Sequence, residues 1–433
     1  MIHFRQARAT ALEILRTQTE ERQAIERAVI VDDVFGKIRA LVWLAASHSP
    51  DFQSVFTELM KEKLEANWAG LIVASDASEA DARLYLDVWN KAREITSSVR
   101  LSERIRSRGF WVNPPSNPAW SVREGYPPVV AFYSYKGGVG RTTVLSSFAV
   151  QRARLGDTVV VIDLDLDAPG VGTLLASGVP DELGVVDYLI ESPLHPQLDL
   201  SDYYHYCLGS SSPPVLAGTG QIIVFPAGRI DADYLAMLAR LDLEPTASEG
   251  NHPLLRMLEQ TRKELSPDWI LIDSRAGLSE ASGFALSGLA NLTVLLGTPS
   301  IQSWHGLRLV VERLGAERLR LGLPQAECLV VQTMTPENSD TADSAKLAFR
   351  EEAEDAFEAV YYAEDPIDED DESFWYVRDM ESDDAPHQPS VLSYSQKYAF
   401  IRSIDDVADN LAEDAEYARL GYRIASRFGK EPE

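Results

Sequence analysis

Apolar residues along this chain fall into two rhythms, and the two alternate. Nearly unbroken apolar runs at 129–133, 158–162, 222–225, 269–272, 292–296 and 328–331 have strand length and read as strands buried on both faces. Between them, 144–155, 234–241 and 253–265 carry helical spacing. This alternation predicts an α/β fold over 129–433, a doubly wound and mostly parallel sheet. Upstream the pattern changes. Residues 3–29 read as one helix with Ala11, Leu15, Ile25 and Val29 among its apolar positions, followed by a strand at 38–46, a helix at 52–68 through Phe56, Leu59, Met60 and Leu64, a strand at 70–74 and a helix at 80–95. That order predicts a small α/β or α+β domain over 1–110. Pro114, Pro115, Pro118, Pro127 and Pro128 break any helix across 111–128, which reads as a linker or a strapped connection.

Charge sharpens the division. Residues 1–127 hold 17 basic and 17 acidic side chains, leaving 23 basic against 50 acidic in 128–433, so the whole formal charge of −27 lies in the second part. Such a surface repels polyanions and counts against sequence-independent DNA binding. The densest acidic stretch, 351–384, has 16 acidic residues against Arg378 alone, interleaved with Phe374, Trp375 and Tyr376. It reads as a solvated acidic loop, with a docking surface for a basic partner as the sharper alternative. The last 40 or so residues are helical in pattern. Arg419, Arg423 and Arg427 recur there beside Leu420, Ile424 and Phe428, as expected of an ordinary terminal helix more than of one lying on a membrane. No apolar stretch approaches the roughly 20 residues that span a bilayer, and charges interrupt the N-terminus, so the expected location is the cytoplasm. Cys207 and Cys328 are the only cysteines, too few for a disulfide framework or a cysteine-rich metal site. His3 and His48 stand alone, and Asp32-Asp33 suits a turn better than a metal.

The candidate chemistry sits at 135–143, Tyr-Lys-Gly-Gly-Val-Gly-Arg-Thr-Thr, between an apolar strand and a helical stretch. A strand, a glycine-rich turn and a helix start in that order form an anion site, because free backbone N–H groups and the positive end of the helix dipole converge on the turn. Gly137, Gly138 and Gly140 allow phosphate to approach the backbone. Against the general phosphate-loop pattern, Tyr135 stands where the first glycine belongs and Arg141 where the lysine belongs.

The stretch matches a deviant form of that loop, and from about Pro128 the chain resembles the ParA/MinD class of P-loop ATPases in its K-G-G-V-G-R variant. The resemblance implies ATP and Mg²⁺ as ligands and a dimer formed on ATP. Lys136 would reach across the dimer to the partner's phosphates. Gly137, Gly138, Val139, Gly140, Arg141, Thr142 and Thr143 would cradle the nucleotide, and Gln332 would take the place of an asparagine that reads adenine. Thr142 and Asp273, which closes the strand at 269–273, would hold the metal together with Asp163, which would belong to the switch element beside them. Asp165 would orient or activate the attacking water. By itself the run of Asp163, Asp165 and Asp167 is also ordinary turn chemistry before Pro169-Gly170. In order with the glycine loop and the Ile-Asp-Ser-Arg-Ala-Gly stretch ending at Gly277, it is far more specific. Arg275 stands where proline is common in the family, either a γ-phosphate sensor or a surface ion pair.

The function this implies is an ATP-dependent dimerising switch that hydrolyses slowly and controls a protein partner through the N-terminal domain or the acidic segment. Loops of this variant with appended domains are similar to the switch ATPases of bacterial conflict and defence systems. Plasmid or chromosome partition is the alternative occupation, and a nucleotide-sensing adaptor with little turnover is another, since a planar guanidinium at 141 cannot occupy the point a lysine ammonium would.

Overall fold

In the computed structural model, residues 2–105, 107–115, 118–122, 125–176, 183–195, 197–207, 219–243, 252–336, 339–366, 371 and 373–431 are described. The chain forms two compact units, Met1–Ser107 and Arg108–Glu433.

The first unit is built on a five-stranded mixed sheet in the order β3-β2-β1-β5-β4, with β1 Ile25–Asp32, β2 Ile38–Leu44, β3 Trp68–Val73, β4 Arg93–Glu94 and β5 Val99–Glu103. The helix expected over 3–29 is shorter than its periodicity suggested. Helix Phe4–Arg16 closes with a π-turn at Thr17–Glu21, and Ile25–Asp32 becomes the central strand. The β-branched Val29, Ile30 and Val31 fit a pleated surface better than a helix. β1 and β2 pair antiparallel across a turn in which Asp33 accepts from the backbone N–H groups of Phe35 (2.8 Å) and Lys37 (2.9 Å). Asp32 is instead buried and paired with Arg8 at 3.4 Å. Ala7, Ala11, Leu15, Phe56, Met60 and Leu64 pack one face of the sheet, while Trp89 of helix Glu79–Lys91 packs the other against Val29 and Leu41.

The second unit carries an eight-stranded sheet in the order β13-β12-β11-β6-β10-β7-β9-β8. Its strands are β6 Val129–Ser134, β7 Thr158–Leu164, β8 His205–Tyr206, β9 Gln221–Phe225, β10 Trp269–Ser274, β11 Leu292–Gly297, β12 Cys328–Thr335 and β13 Ser390–Ser393. All neighbours are parallel except β8 and β9. Every residue of β6, β10 and β11 is buried, as a sheet covered on both faces requires. The order reverses at β6, placed between β10 and β11, and ligands of such sheets bind outside the C-terminal strand ends at that point.

The proline-rich stretch is strapped down. Phe110, Trp111 and Trp120 are buried in the second unit's core, and Trp111 Nε1 donates to the Ser279 carbonyl at 2.6 Å. Residues 116–117 and 123–124 of that stretch lie outside the described residues. The acidic segment is only partly a loop, because helix Ser339–Val360 includes its first third. Ala353, Ala356 and Phe357 form a buried stripe there that outweighs the surrounding charge. Residues 367–370 and 372 of the segment are outside the described set, as are 177–182 and 208–218 of the loop region before β9. Helix Ala415–Ser426 packs as an ordinary terminal helix. Leu420 and Ile424 are buried, and the Arg423 guanidinium donates to the Ala385 carbonyl at 2.8 Å. Among the described residues no helix is long and apolar enough to cross a membrane.

Candidate functional site

β6 ends at Ser134, and the chain turns through Tyr135–Gly140 into the helix Arg141–Arg154. Gly138 and Gly140 hold φ of +75° and +85°, which a side chain would strain, and Gly140 is the residue that caps the helix. Gly137 and Gly138 are exposed at the turn, Val139 is buried beneath it, and Ser134 Oγ fixes the Lys136 carbonyl at 2.8 Å. The helix start therefore offers its free N–H groups at the open end of the central strand.

Three aspartates from the neighbouring strands meet this turn. Asp163 and Asp273 are direct partners in the β7–β10 register, and Asp165 follows the end of β7. Arg141 joins two of them: its Nε donates to Asp273 Oδ1 at 2.5 Å and its Nη2 to Asp165 Oδ2 at 2.5 Å. Thr142 Oγ1 donates to the second oxygen of Asp273 at 2.8 Å. Asp163 is differently engaged, for its carboxylate accepts the backbone N–H groups of Asp165 (3.1 Å), Gly170 (3.2 Å) and Gly172 (3.2 Å) and so shapes the turn after β7.

Burial governs the electrostatics. It raises the Asp273 pKa, opposed by the Arg141 guanidinium and the Thr142 hydroxyl, and it raises that of Asp163 with help from the neighbouring Asp273 charge. Burial works against the charge on Arg141, but Asp273 and Asp165 more than offset it and raise its pKa. Two buried carboxylates, Asp165 and Asp273, thus share one guanidinium, and the third, Asp163, is held by backbone N–H groups.

The remaining sequence candidates are also placed. Lys136 Nζ is bonded to the Gln302 side chain on helix Ile301–Leu314. Thr143, with Val139 and Gly140, lines a cleft closed by Met334, Ser393, Tyr394 and Tyr398. Gln332 is wholly buried within β12, and among the described residues neither its amide nitrogen nor its oxygen has a hydrogen-bond partner. Arg275 makes an ion pair with Asp167, both partly exposed. Sequence reasoning set Arg141 against phosphate and missed its two carboxylate partners. It also missed the cleft around Met334, which has no motif, and Gln302 and Gly306 opposite the loop, which only the register of a distant helix brings there.

Among the described residues no cluster of three or more His, Cys, Asp or Glu side chains is arranged to hold a metal ion by itself. The oxygen donors nevertheless suit Mg²⁺ with a nucleotide supplying further ligands. Thr142 and Asp273 sit side by side, and Asp165 Oδ1 is a buried oxygen with no partner among the described residues.

No family model matches the chain. The chromosome-partitioning ATPase Soj of Thermus thermophilus is 27% identical over 190 residues, which are 43% of this chain and 74% of that protein. Among solved structures, the septum site-determining protein MinD with Mg-ADP from Pyrococcus horikoshii is 16% identical, covering 70% of this chain and 96% of the other at a TM-score of 0.42. A ParA family ATPase from Chlorobium tepidum is 14% identical, covering 69% and 98% at a TM-score of 0.41.

Proposed function

We propose, for a chain whose second unit is a P-loop unit of the ParA/MinD type, that it is a switch which dimerises on ATP, hydrolyses it slowly and controls a protein partner. The observation that carries this reading is the convergence of the 137–143 turn with Asp165 and Asp273, which Arg141 ties into one buried cluster.

In this reading the N–H groups of Gly137–Thr143 hold the phosphates, and Gln332 faces the base side with its unpartnered amide. Thr142 and Asp273 hold Mg²⁺, which supplies charge neutralisation to the phosphates when bound. Asp165 keeps Oδ2 on Arg141 and turns its unpartnered Oδ1 to the attacking water. Lys136, on the open side of the loop, serves the partner's phosphates once it leaves Gln302. Changes at Asp165 and Asp273 then reach the Asp167–Arg275 pair and the turn to Gly277, the segments that alter with nucleotide state. The N-terminal unit or the acidic segment reads that state for the partner, and a bacterial conflict or defence system is the setting the loop variant suggests.

Light scattering during size exclusion tests the switch. The wild type becomes a dimer with ATP and not with ADP, whereas Lys136→Ala still binds ATP and stays monomeric. A mass that ignores both nucleotide and the substitution sinks the reading. Arg141 itself favours a second one, a sensor with little turnover, because it occupies the carboxylates that turnover would use. Steady-state phosphate release separates the two: release that Asp165→Ala abolishes marks an ATPase, and none above background marks a sensor. A partition role predicts ATP-dependent retention on nonspecific DNA, against which the acidic balance of the second unit weighs.

A further inference from the structure

We infer that the first unit binds a free α-amino acid with an apolar side chain, in the cleft where β1 and β5 end. The cleft lies wholly within Met1–Ser107 and is independent of the nucleotide reading above.

β1 and β5 run parallel and in register as far as Asp32 and Glu103, and the Arg104 N–H closes the pair on the Asp32 carbonyl at 3.0 Å. Ligands of parallel strands collect at such C-terminal ends. Here the ends open into a cleft of about 380 Å³, within the range of roughly 300–1,000 Å³ that holds small molecules. Three carboxylates line it, and the protein satisfies two of them. Asp33 accepts two N–H groups of the hairpin, and Glu103 pairs with Arg8 at 2.5 Å and with Arg93 at 3.9 Å.

Asp32 is the exception. The residue is 3% exposed and its Oδ2 meets Arg8 at 3.4 Å, yet Oδ1 is a buried acceptor with no partner among the described residues. Such an atom is costly to leave unmet. Burial pushes this carboxyl up to about 6 against the pull of Arg8, so the charged form also lacks stabilisation. A positively charged N–H donor, as in an ammonium group, meets both needs.

The other walls supply the rest of the recognition. Arg8 reaches its two acids through Nη1 alone, which leaves Nε and Nη2 without a bond to any described residue, and Arg104 stands exposed beside it. These guanidinium groups suit a carboxylate. Phe4 and Val34 make an apolar side, with the Phe4 ring lying over Gly36, 3.5 Å from where a β-carbon there would be. An orphaned acceptor, cations and an apolar wall in one cleft complement the ammonium, the carboxylate and the side chain of one amino acid. A bare metal ion fits less well, because a guanidinium already lies between Asp32 and Glu103.

Calorimetric titration of L-leucine into the full-length protein, without nucleotide, tests the inference. Saturable binding is expected. Affinity should fall at least about tenfold for 4-methylpentanoate, which lacks the ammonium, for L-leucinamide, which lacks the carboxylate, and for glycine, which lacks the apolar side chain. Asp32→Asn, which removes the charge and keeps the shape, should weaken L-leucine by a similar factor. No saturable heat with L-leucine overturns the inference, and so does any of the three analogues binding as tightly as L-leucine. A folded Asp32→Asn protein with undiminished affinity overturns it too. The analogue series needs only the wild type, so it decides even where circular dichroism shows the variant unfolded.

Discussion

The ring of Tyr135 rests directly on the backbone of Gly306, so close that a β-carbon at 306 would fall among the ring atoms. This contact fixes the residue before Lys136 to the helix that also carries Gln302, the partner of Lys136. Gly306→Ala forces the tyrosine out, with overpacking costing about 2 kcal/mol, and displaces the start of the loop. Chemical denaturation should show that loss and an ATP titration a weaker Kd. A variant as stable and as tight as the wild type would mean that the contact does not set the loop.

Gln332 buries a whole amide that no described residue satisfies. An unpaired buried amide costs about 1–3 kcal/mol, so Gln332→Leu should leave the melting temperature unchanged or raise it. If the amide reads the base, the same substitution weakens ATP and erases any preference for ATP over GTP. A stable variant with its ATP preference intact removes Gln332 from the base site.

His252 gives the second unit an acid limit. Its ring caps helix Pro253–Leu265 by accepting the Leu254 N–H at Nδ1 (3.1 Å) and lies 4.2 Å from the Phe284 ring. Burial depresses its pKa to about 4. The folded chain therefore holds the neutral ring while the unfolded chain takes up a proton near the ordinary value of 6.5. Its stabilising contribution is complete above that value and falls as pH drops from 6.5 towards about 4. The loss amounts to about 2 kcal/mol by about pH 5. His252→Asn keeps a capping side chain and should flatten that part of the stability–pH curve. An unchanged slope would place the acid sensitivity elsewhere.

Much of this molecule was legible because the same physics writes the sequence and the structure. Runs such as Val159–Ile162 and Ile270–Ile272 are apolar throughout because helices cover both faces of their sheet, and the two-sided burial of β7 and β10 follows. The glycine turn declares itself because only glycine takes the backbone angles of 138 and 140 without strain. The failures are equally physical. Ile25–Asp32 keeps apolar residues at helical spacing, and only pairing with β2 and β5 decides for strand. Glu351–Val360 looked like a charged loop because its buried stripe of Ala353, Ala356 and Phe357 is narrow. Arg141 read as a phosphate ligand from its position in a motif. Its bonds to Asp165 and Asp273, 24 and 132 residues away, depend on three strand ends coming together.

The most direct test of the account is a calorimetric titration of ATP into the full-length wild type and into Gly138→Val, whose side chain is incompatible with a φ of +75° at the turn. The account predicts saturable binding of about one ATP per chain for the wild type and loss of at least about tenfold in affinity for the variant. No saturable heat with the wild type, or equal affinity in the two proteins, would contradict it.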